Sequence, residues 1–325
     1  MRAGMLWISL ATLALFVGGC SILAEKREAA ARAEYPPIGQ LVDVGGTRVH
    51  AWVRGTGPDI VLLHGASGNL RDFTFDLAER LSARYRVIAF DRPGHGWTER
   101  LPGYGGPGST KGESPQEQAA LLQQAAAELG VTSPVVVGHS YGGAVALAWG
   151  LSKPRDTSAL VILAGVSNPW PGELGTLYNL TGSSVGGATV VPLITALAPQ
   201  SRIETAIEGI FAPQSAPKGY IEYVGADLSL RRKALRANGQ QVTSLRPHIV
   251  EMAKRYPATL TMPIEIVHGT ADKTVPIEIH SEKLVKQAPR ARLTRLEGVG
   301  HMPHHTKPEA TVAAIDRAAA RAGQR

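Results

Sequence analysis

One cysteine, Cys20, occurs in the 325 residues, so no disulfide framework can be built from this chain. No internal repeat recurs along it, and no long low-complexity tract interrupts it. Aromatic residues are absent from its basic runs. The formal net charge is +7, yet Arg231-Arg232-Lys233 and the tail residues Arg317, Arg321 and Arg325 carry no interleaved aromatics. Those runs read as solvated surface rather than a nucleic-acid face, while weak attraction to an anionic membrane surface stays open. What is present is ordinary: 44% hydrophobic residues, 19% charged, 36 Gly and 22 Pro. That composition suits a globular protein with a large core, in one domain or one domain plus an insertion.

The N-terminus stands apart from the fold. Met1-Arg2 precedes an apolar run from Met5 to Ala24 that ends in small residues, as a secretory signal does. Val17-Gly18-Gly19-Cys20 is similar to a bacterial lipobox, with Gly18 where Ala or Ser is usual, and makes Cys20 a candidate lipidation site. Three readings follow: a lipoprotein, an uncleaved single-pass anchor, or a cleaved signal. All three place the folded part outside the cytoplasm, at the cell envelope. Lys26, Arg27 and Arg32 just beyond the run act against that orientation. Residues 25–37 read as a solvated helical spacer closed by Pro36-Pro37.

From Ile38 onward short apolar runs alternate with helical patterns, the mark of an α/β fold with a mostly parallel sheet. Gly39–Val44 and Arg48–Arg54 form a hairpin around Gly45-Gly46, and six more strands follow at Ile60–Leu63, Val87–Phe90, Val135–Val137, Leu160–Leu163, Ile264–Val267 and Leu293–Leu296. Helices are expected at Phe73–Ala83, Ser114–Leu129, Gly142–Leu151, Ile277–Gln287 and Lys307–Arg321. Ser114 and Glu117 have capping-box spacing, and Pro276 is placed as the first residue of the fourth helix. The alternation lapses between Asn168 and Met262, a gap far longer than a usual βα connection. It holds helical patterns at Glu204–Ile210 and Leu245–Arg255 and reads as an inserted helical cap. The expected units are therefore 1–24 (signal or anchor), 25–37 (spacer), 38–167 (core), 168–262 (cap) and 263–325 (core).

The chemistry centres on Val135-Val-Val-Gly-His-Ser-Tyr-Gly-Gly-Ala144. A β-branched strand runs into Gly-x-Ser-x-Gly and then a helix, so Ser140 sits on a sharp turn whose neighbours two residues away must be glycine. The helix N-terminus beneath it favours developing negative charge. Leu62-Leu-His-Gly-Ala-Ser-Gly68 ends a strand with backbone free to approach a carbonyl oxygen, which makes the N–H groups of Ala66 and Tyr141 the expected oxyanion donors. Asp272 follows the strand ending at Val267, and His301 follows two glycines in a loop able to swing toward Ser140. The order Ser140, Asp272, His301 suits this architecture, unlike the chymotrypsin or subtilisin orders. His139 is expected to point away from the serine. A metal cluster of His301, His304 and His305 is disfavoured for want of ligands, so neither a metal nor a cofactor is called for.

From Ile38 to Arg321 the chain resembles the α/β-hydrolase fold family, in its serine-nucleophile, esterase- and lipase-like branch. Phe90-Asp-Arg-Pro-Gly-His-Gly-Trp-Thr-Glu-Arg100 is similar to that family's loop after the fourth strand, a shaping element. The resemblance implies an eight-stranded, mostly parallel sheet with a helical cap between strands 6 and 7. It also implies cleavage of a carboxylic ester through an acyl-enzyme by Ser140, His301 and Asp272. Dehalogenases and epoxide hydrolases of the family carry Asp at the elbow, against Ser140 here. Serine carbon–carbon hydrolases use a Gly-Pro-Gly-like oxyanion loop, from which Ala66-Ser67-Gly68-Asn69 departs. Amidase, thioesterase, perhydrolase and carbon–carbon hydrolase activities stay open, as does a non-catalytic, membrane-tethered binding protein. The few charges near Trp170 and Tyr178 favour an apolar or aromatic acyl group as the small-molecule partner.

Overall fold

The computed structural model describes residues 2–106 and 108–323, with side chains from residue 18 onward. Strands β1 (Gln40–Val44), β2 (Thr47–Arg54), β3 (Asp59–Leu63), β4 (Arg86–Phe90), β5 (Val135–His139), β6 (Ala159–Leu163), β7 (Ile264–Gly269) and β8 (Ala291–Leu296) form one sheet in the order β1-β2-β4-β3-β5-β6-β7-β8. Only the β1–β2 and β2–β4 pairs are antiparallel. The central strands are unbroken Val, Ile and Leu runs because helices cover both faces and no alternation is needed.

One face packs against α4 (Pro115–Glu128), α5 (Tyr141–Ser152) and α11 (Arg232–Thr259). The other packs against α2 (Arg71–Thr74), α3 (Leu77–Ser82) and α14 (Pro308–Arg321). The Ser114–Glu117 capping box is present at the start of α4. The expected helix Phe73–Ala83 is two helices, because Asp76 leaves helical backbone (φ −150°, ψ −57°) before the chain re-enters at Leu77. Pro276 is not a first helical residue. The N–H groups of Ile279 and His280 both turn back to its carbonyl, and α12 starts later, at Ser281–Gln287.

Between β6 and β7 lies a helical insert: α6 (Thr176–Gly182), α7 (Ser184–Leu197), α8 (Gln200–Phe211), α9 (Tyr220–Val224), α10 (Ala226–Ser229) and the start of α11. The expected helix Leu245–Arg255 is only the middle of α11, whose 28 residues carry one buried stripe from Ala234 to Tyr256 past Pro247. The short α13 (Pro303–Thr306) precedes α14.

The N-terminal expectation needs one correction. Anchor and spacer are a single unbroken helix, α1 (Arg2–Glu34), and its last part is not simply solvated. Cys20, Ala24, Glu28 and Ala31 are buried at three- and four-residue spacing, one helix face. Cys20 and Ala24 pack on Ala196 and Leu193 of α7. Arg27 donates to the carbonyls of Ala196 and Ala198 at the C-terminus of α7, where orphan acceptors and the dipole favour a cation. Glu28 pairs with Arg232 at 2.9 Å. The apolar run Met5–Ala24 lies mostly outside the described side chains. Among the described residues no single helix is long and apolar enough to cross a membrane, and α6 with α7 passes by length and composition but is bent by 107°.

Candidate active site

Ser140 is the residue where β5 becomes α5, and its backbone is in a region that L-residues rarely occupy (φ 53°, ψ −119°). Strain of about 1–3 kcal/mol is held there by a fixed environment. The Ser140 N–H donates to Leu163 O, and its carbonyl accepts from Gly143 and Val166. The flanking glycines are obligatory. A Cβ on Gly138 would fall 2.2 Å from Gly142 O, and one on Gly142 would fall 2.0 Å from Leu63 O.

Asp272 and His301 are brought together as expected. His301 Nδ1 lies 2.7 Å from Asp272 Oδ2, with both side chains almost wholly buried. The other carboxylate oxygen accepts from the N–H groups of Thr274 and Val275, and His268 Nε2 approaches Oδ2 at 3.1 Å. Burial alone would raise the Asp272 pKa, but the hydrogen bonds and charge of His268 and His301 outweigh it and hold the carboxyl well below the usual range. His139 bears on His301: its Nε2 donates to the His301 carbonyl at 2.9 Å, and the two rings lie 4.9 Å apart. Ser140 therefore sits one residue from the group that holds His301. Among the described residues the Ser140 hydroxyl has no hydrogen-bond partner, and such bonds are commonly long until substrate arrives.

The oxyanion expectation rests on two backbone N–H groups, Ala66 and Tyr141, and neither has a hydrogen-bond partner among the described residues. Gly65 is in contact with the elbow, since a Cβ on it would sit 3.1 Å from Ser140 Cβ. Two residues not singled out from sequence hold this loop. Asn238 of α11 accepts from Ser67 N–H at 2.8 Å and donates to Ser67 Oγ at 2.9 Å, fixing a residue with φ 56°. Arg92 is completely buried: Nε and Nη2 donate to the carbonyls of His64 and Gly65, and its guanidinium lies 4.4 Å from the centre of the Tyr141 ring. Burial lowers its pKa to about 10, so it stays charged at neutral pH. The Asp-Arg-Pro-Gly stretch carries a visible signal for Arg92; nothing local marks Asn238, which reaches the loop from 171 positions away.

His304 and His305 do not join His301 around a metal. Their Nε2 atoms lie 3.2 and 2.8 Å from the two oxygens of buried Asp72, which also accepts from Tyr220 Oη at 2.8 Å. Asp72, His304 and His305 have ligand atoms within 4.8 Å of one another. The Nδ1 atoms of both histidines lack partners, however, whereas a metal-bound histidine nearly always donates its second N–H. The set fits a carboxylate satisfied by three donors, and the donors' charge and hydrogen bonds overcome burial to keep the Asp72 pKa well below normal. A surface cleft of about 720 Å³, lined by Arg48, Trp97, Glu99, Arg231 and Lys233 among others, contains none of these residues.

The alpha/beta hydrolase family model matches residues 60–314. An uncharacterised protein of Mycobacterium tuberculosis (strain ATCC 25618 / H37Rv) is 26% identical over 297 residues, covering 87% of this chain and 81% of its own. The structure of the esterase RhEst1 from Rhodococcus sp. ECU1013 superposes with a TM-score of 0.64 at 21% identity, covering 86% of this chain and 98% of its own. That of a membrane phospholipase A, described as a bacterial virulence factor, gives 0.66 at 19% identity and covers 98% of this chain and 99% of its own.

Proposed function

Because this chain belongs to the alpha/beta hydrolase family, we propose that it cleaves a carboxylic ester through an acyl-enzyme on Ser140. The Asp272–His301 pair beside a serine elbow is the observation that carries this reading. His301 takes the Ser140 proton as the serine oxygen attacks the ester carbonyl, and Asp272 fixes the imidazole tautomer and stabilises the imidazolium. The unpaired N–H groups of Ala66 and Tyr141 receive the oxyanion, each contributing about 3 kcal/mol on the scale of other such donors. His301 then protonates the leaving alcohol, and water repeats the sequence on the acyl-enzyme.

The acyl side is apolar. Trp170, Leu174 and Tyr178 of the insert, which acts as a cap, pack half-buried with Ala66 on the cluster that contains Tyr141 and Val166. The setting is a membrane surface, with α1 as an uncleaved anchor and the hydrolase outside the cytoplasm. Cys20 packs its side chain on Ala196 and Leu193, which supports docking of the end of α1 against α7. Arg27 is committed likewise to α7, which weakens its vote on orientation. The likeness to the membrane phospholipase spans 98% of this chain, against 86% for the esterase, which supports reading α1 as part of a membrane-associated hydrolase.

A fluorophosphonate probe on the full-length protein in detergent tests the chemistry. Ser140 should be labelled, and p-nitrophenyl esters should turn over faster than amides, thioesters or ring-cleavage diketones. A folded protein that leaves the probe unreacted ends the esterase reading.

A further inference from the structure

The loop carrying His301 is not free to swing; it is gripped on two sides. From the core, Ala271 N–H donates to Val299 O and Thr270 Oγ1 accepts from Gly298 N–H. From the insert, the Gln214 side-chain amide bridges the loop, donating to Gly298 O at 2.8 Å and accepting from Gly300 N–H at 2.9 Å. The insert backbone presses equally close. A Cβ on Gly300 would lie 2.1 Å from Ala212 O, so only glycine lets the two segments meet. Met302, next after His301, packs with Phe211, Tyr220 and Val224 of the insert.

A second grip passes through the buried Asp72 cluster. Tyr220 of α9 holds Asp72 Oδ1, Asp72 holds His304 and His305, and these follow His301 by three and four residues. The His139 ring lies between those of His304 (4.5 Å) and His301 (4.9 Å) and donates to the His301 carbonyl. Every member of this cluster is at most 8% exposed, and at that burial the hydrogen bonds to Asp72 and to the His301 carbonyl have no water to replace them.

We propose that the insert positions the catalytic histidine, with Gln214 and Tyr220 as positioning residues that set His301 against Ser140. The inference rests on the esterase reading of Ser140, Asp272 and His301. On this view the helices over the site complete the catalytic geometry as well as shaping the acyl pocket, and whatever moves α9 or the segment after α8 changes turnover. Neither residue touches substrate or the reacting atoms.

The test compares wild type, Gln214→Ala and Tyr220→Phe as full-length proteins. It follows the rate of Ser140 labelling by a small fluorophosphonate and the kcat and KM for p-nitrophenyl acetate. A two-carbon acyl group makes little use of an acyl pocket, so a purely substrate-binding insert would leave these rates alone. Gln214→Ala should slow labelling and kcat about tenfold with KM within about twofold, inside the roughly 10²-fold that a 1 Å misplacement can cost. Tyr220→Phe should give about threefold, since Asp72 keeps both histidine donors. Gln214→Glu should fall between Ala and wild type, because its carboxylate still accepts from Gly300 N–H but cannot donate to Gly298 O. Unchanged labelling in folded variants, with only long-chain KM raised, overturns the proposal and leaves the esterase reading standing. Unlabelled wild type overturns the esterase reading itself. If Gln214→Ala fails to fold, Tyr220→Phe, which loses a single hydroxyl, decides alone.

Discussion

Helices α5 and α7 are built from the same kinds of residue, a glycine pair followed by Ala, Val and Leu, yet the protein uses them in opposite ways. In α5 eleven of the twelve residues, Tyr141 to Leu151, are buried. In α7 five of fourteen are, and Val185 and Leu197 are 72% and 52% exposed. The reason is the number of neighbours. Helix α5 sits between the sheet, α4 and α11, whereas α7 touches α1, α6 and α11 but no sheet, and leaves one face open. Leu177 and Leu180 of α6, and Ile22 and Leu23 of α1, are exposed in the same part of the molecule. The elbow side is thus locked by burial, while the insert side shows apolar surface that water does not reward.

The largest test of the locked side is its chemistry. Asp272→Asn should leave the fold intact and lower kcat by up to about 10⁴-fold, the scale known for the matching carboxylate in another serine-triad enzyme. Steady-state kinetics on a p-nitrophenyl ester, with circular dichroism as the folding control, measures it. A loss under tenfold would show that Asp272 is not the partner His301 needs.

The locked side should also fail first in acid. Burial lowers the pKa of His304 to about 4 and those of His95 and His280 to about 3. His280 Nδ1 accepts from the N–H groups of Ser167 and Asn168, as only the neutral ring can. Unfolded histidine takes its proton near 6.5, so below that pH the unfolded state binds more protons and stability falls until the folded values are reached. At pH 5 each of the three contributes up to about 2 kcal/mol of this loss. Asp72 and Asp272, held below the usual carboxylate pKa, extend it under pH 4 as their unfolded forms protonate first. Tm should be flat from pH 7 to 8 and drop steeply between pH 6.5 and 5. An equal Tm at pH 7.5 and 5 would contradict the buried neutral rings.

A smaller effect belongs to the seam between the two regions. Asn238→Ala removes both bonds to Ser67 and frees the strained backbone beside Ala66. It should reduce kcat about tenfold, the equivalent of about 1.4 kcal/mol of oxyanion stabilisation, with little change in KM. A rise in KM alone would make Asn238 a substrate contact instead.

The same contrast explains what could be read from the chain before its structure. The central strands were legible because a buried parallel sheet writes itself as short β-branched runs, and Ser140 follows one of them directly while Asp272 and His301 lie within a few residues of β7 and β8. Ser114 and Glu117 announced their capping box because its logic is local. Asn238, Gln214 and Tyr220 were not legible, since each acts across about 80 to 170 positions through a side chain with no local signature. The pairing of His304 and His305 with Asp72 was hidden for the same reason. The packing of the spacer has no local mark, because Glu28 and Ala31 look solvated until Arg232 and the insert lie alongside.

The mildest prediction concerns the open side. If α6 and α7 rest against lipid beside α1, then Val185→Ser with Leu197→Ser should leave turnover of soluble p-nitrophenyl acetate within about twofold, since neither residue belongs to the elbow or its support. Hydrolysis of a long-chain ester held in phospholipid vesicles should fall about three- to tenfold, because taking two partly inserted apolar side chains off a membrane surface forfeits on the order of 0.5 kcal/mol each. The ratio of the two rates is the quantity to measure, as it cancels differences in the amount of active protein. Anchoring itself should survive, because α1 is unchanged, so flotation with vesicles serves as the control. Equal losses on both substrates would place α7 in the catalytic support, erasing the distinction from α5. No loss on either would mean that the exposed face of α7 meets something other than the bilayer.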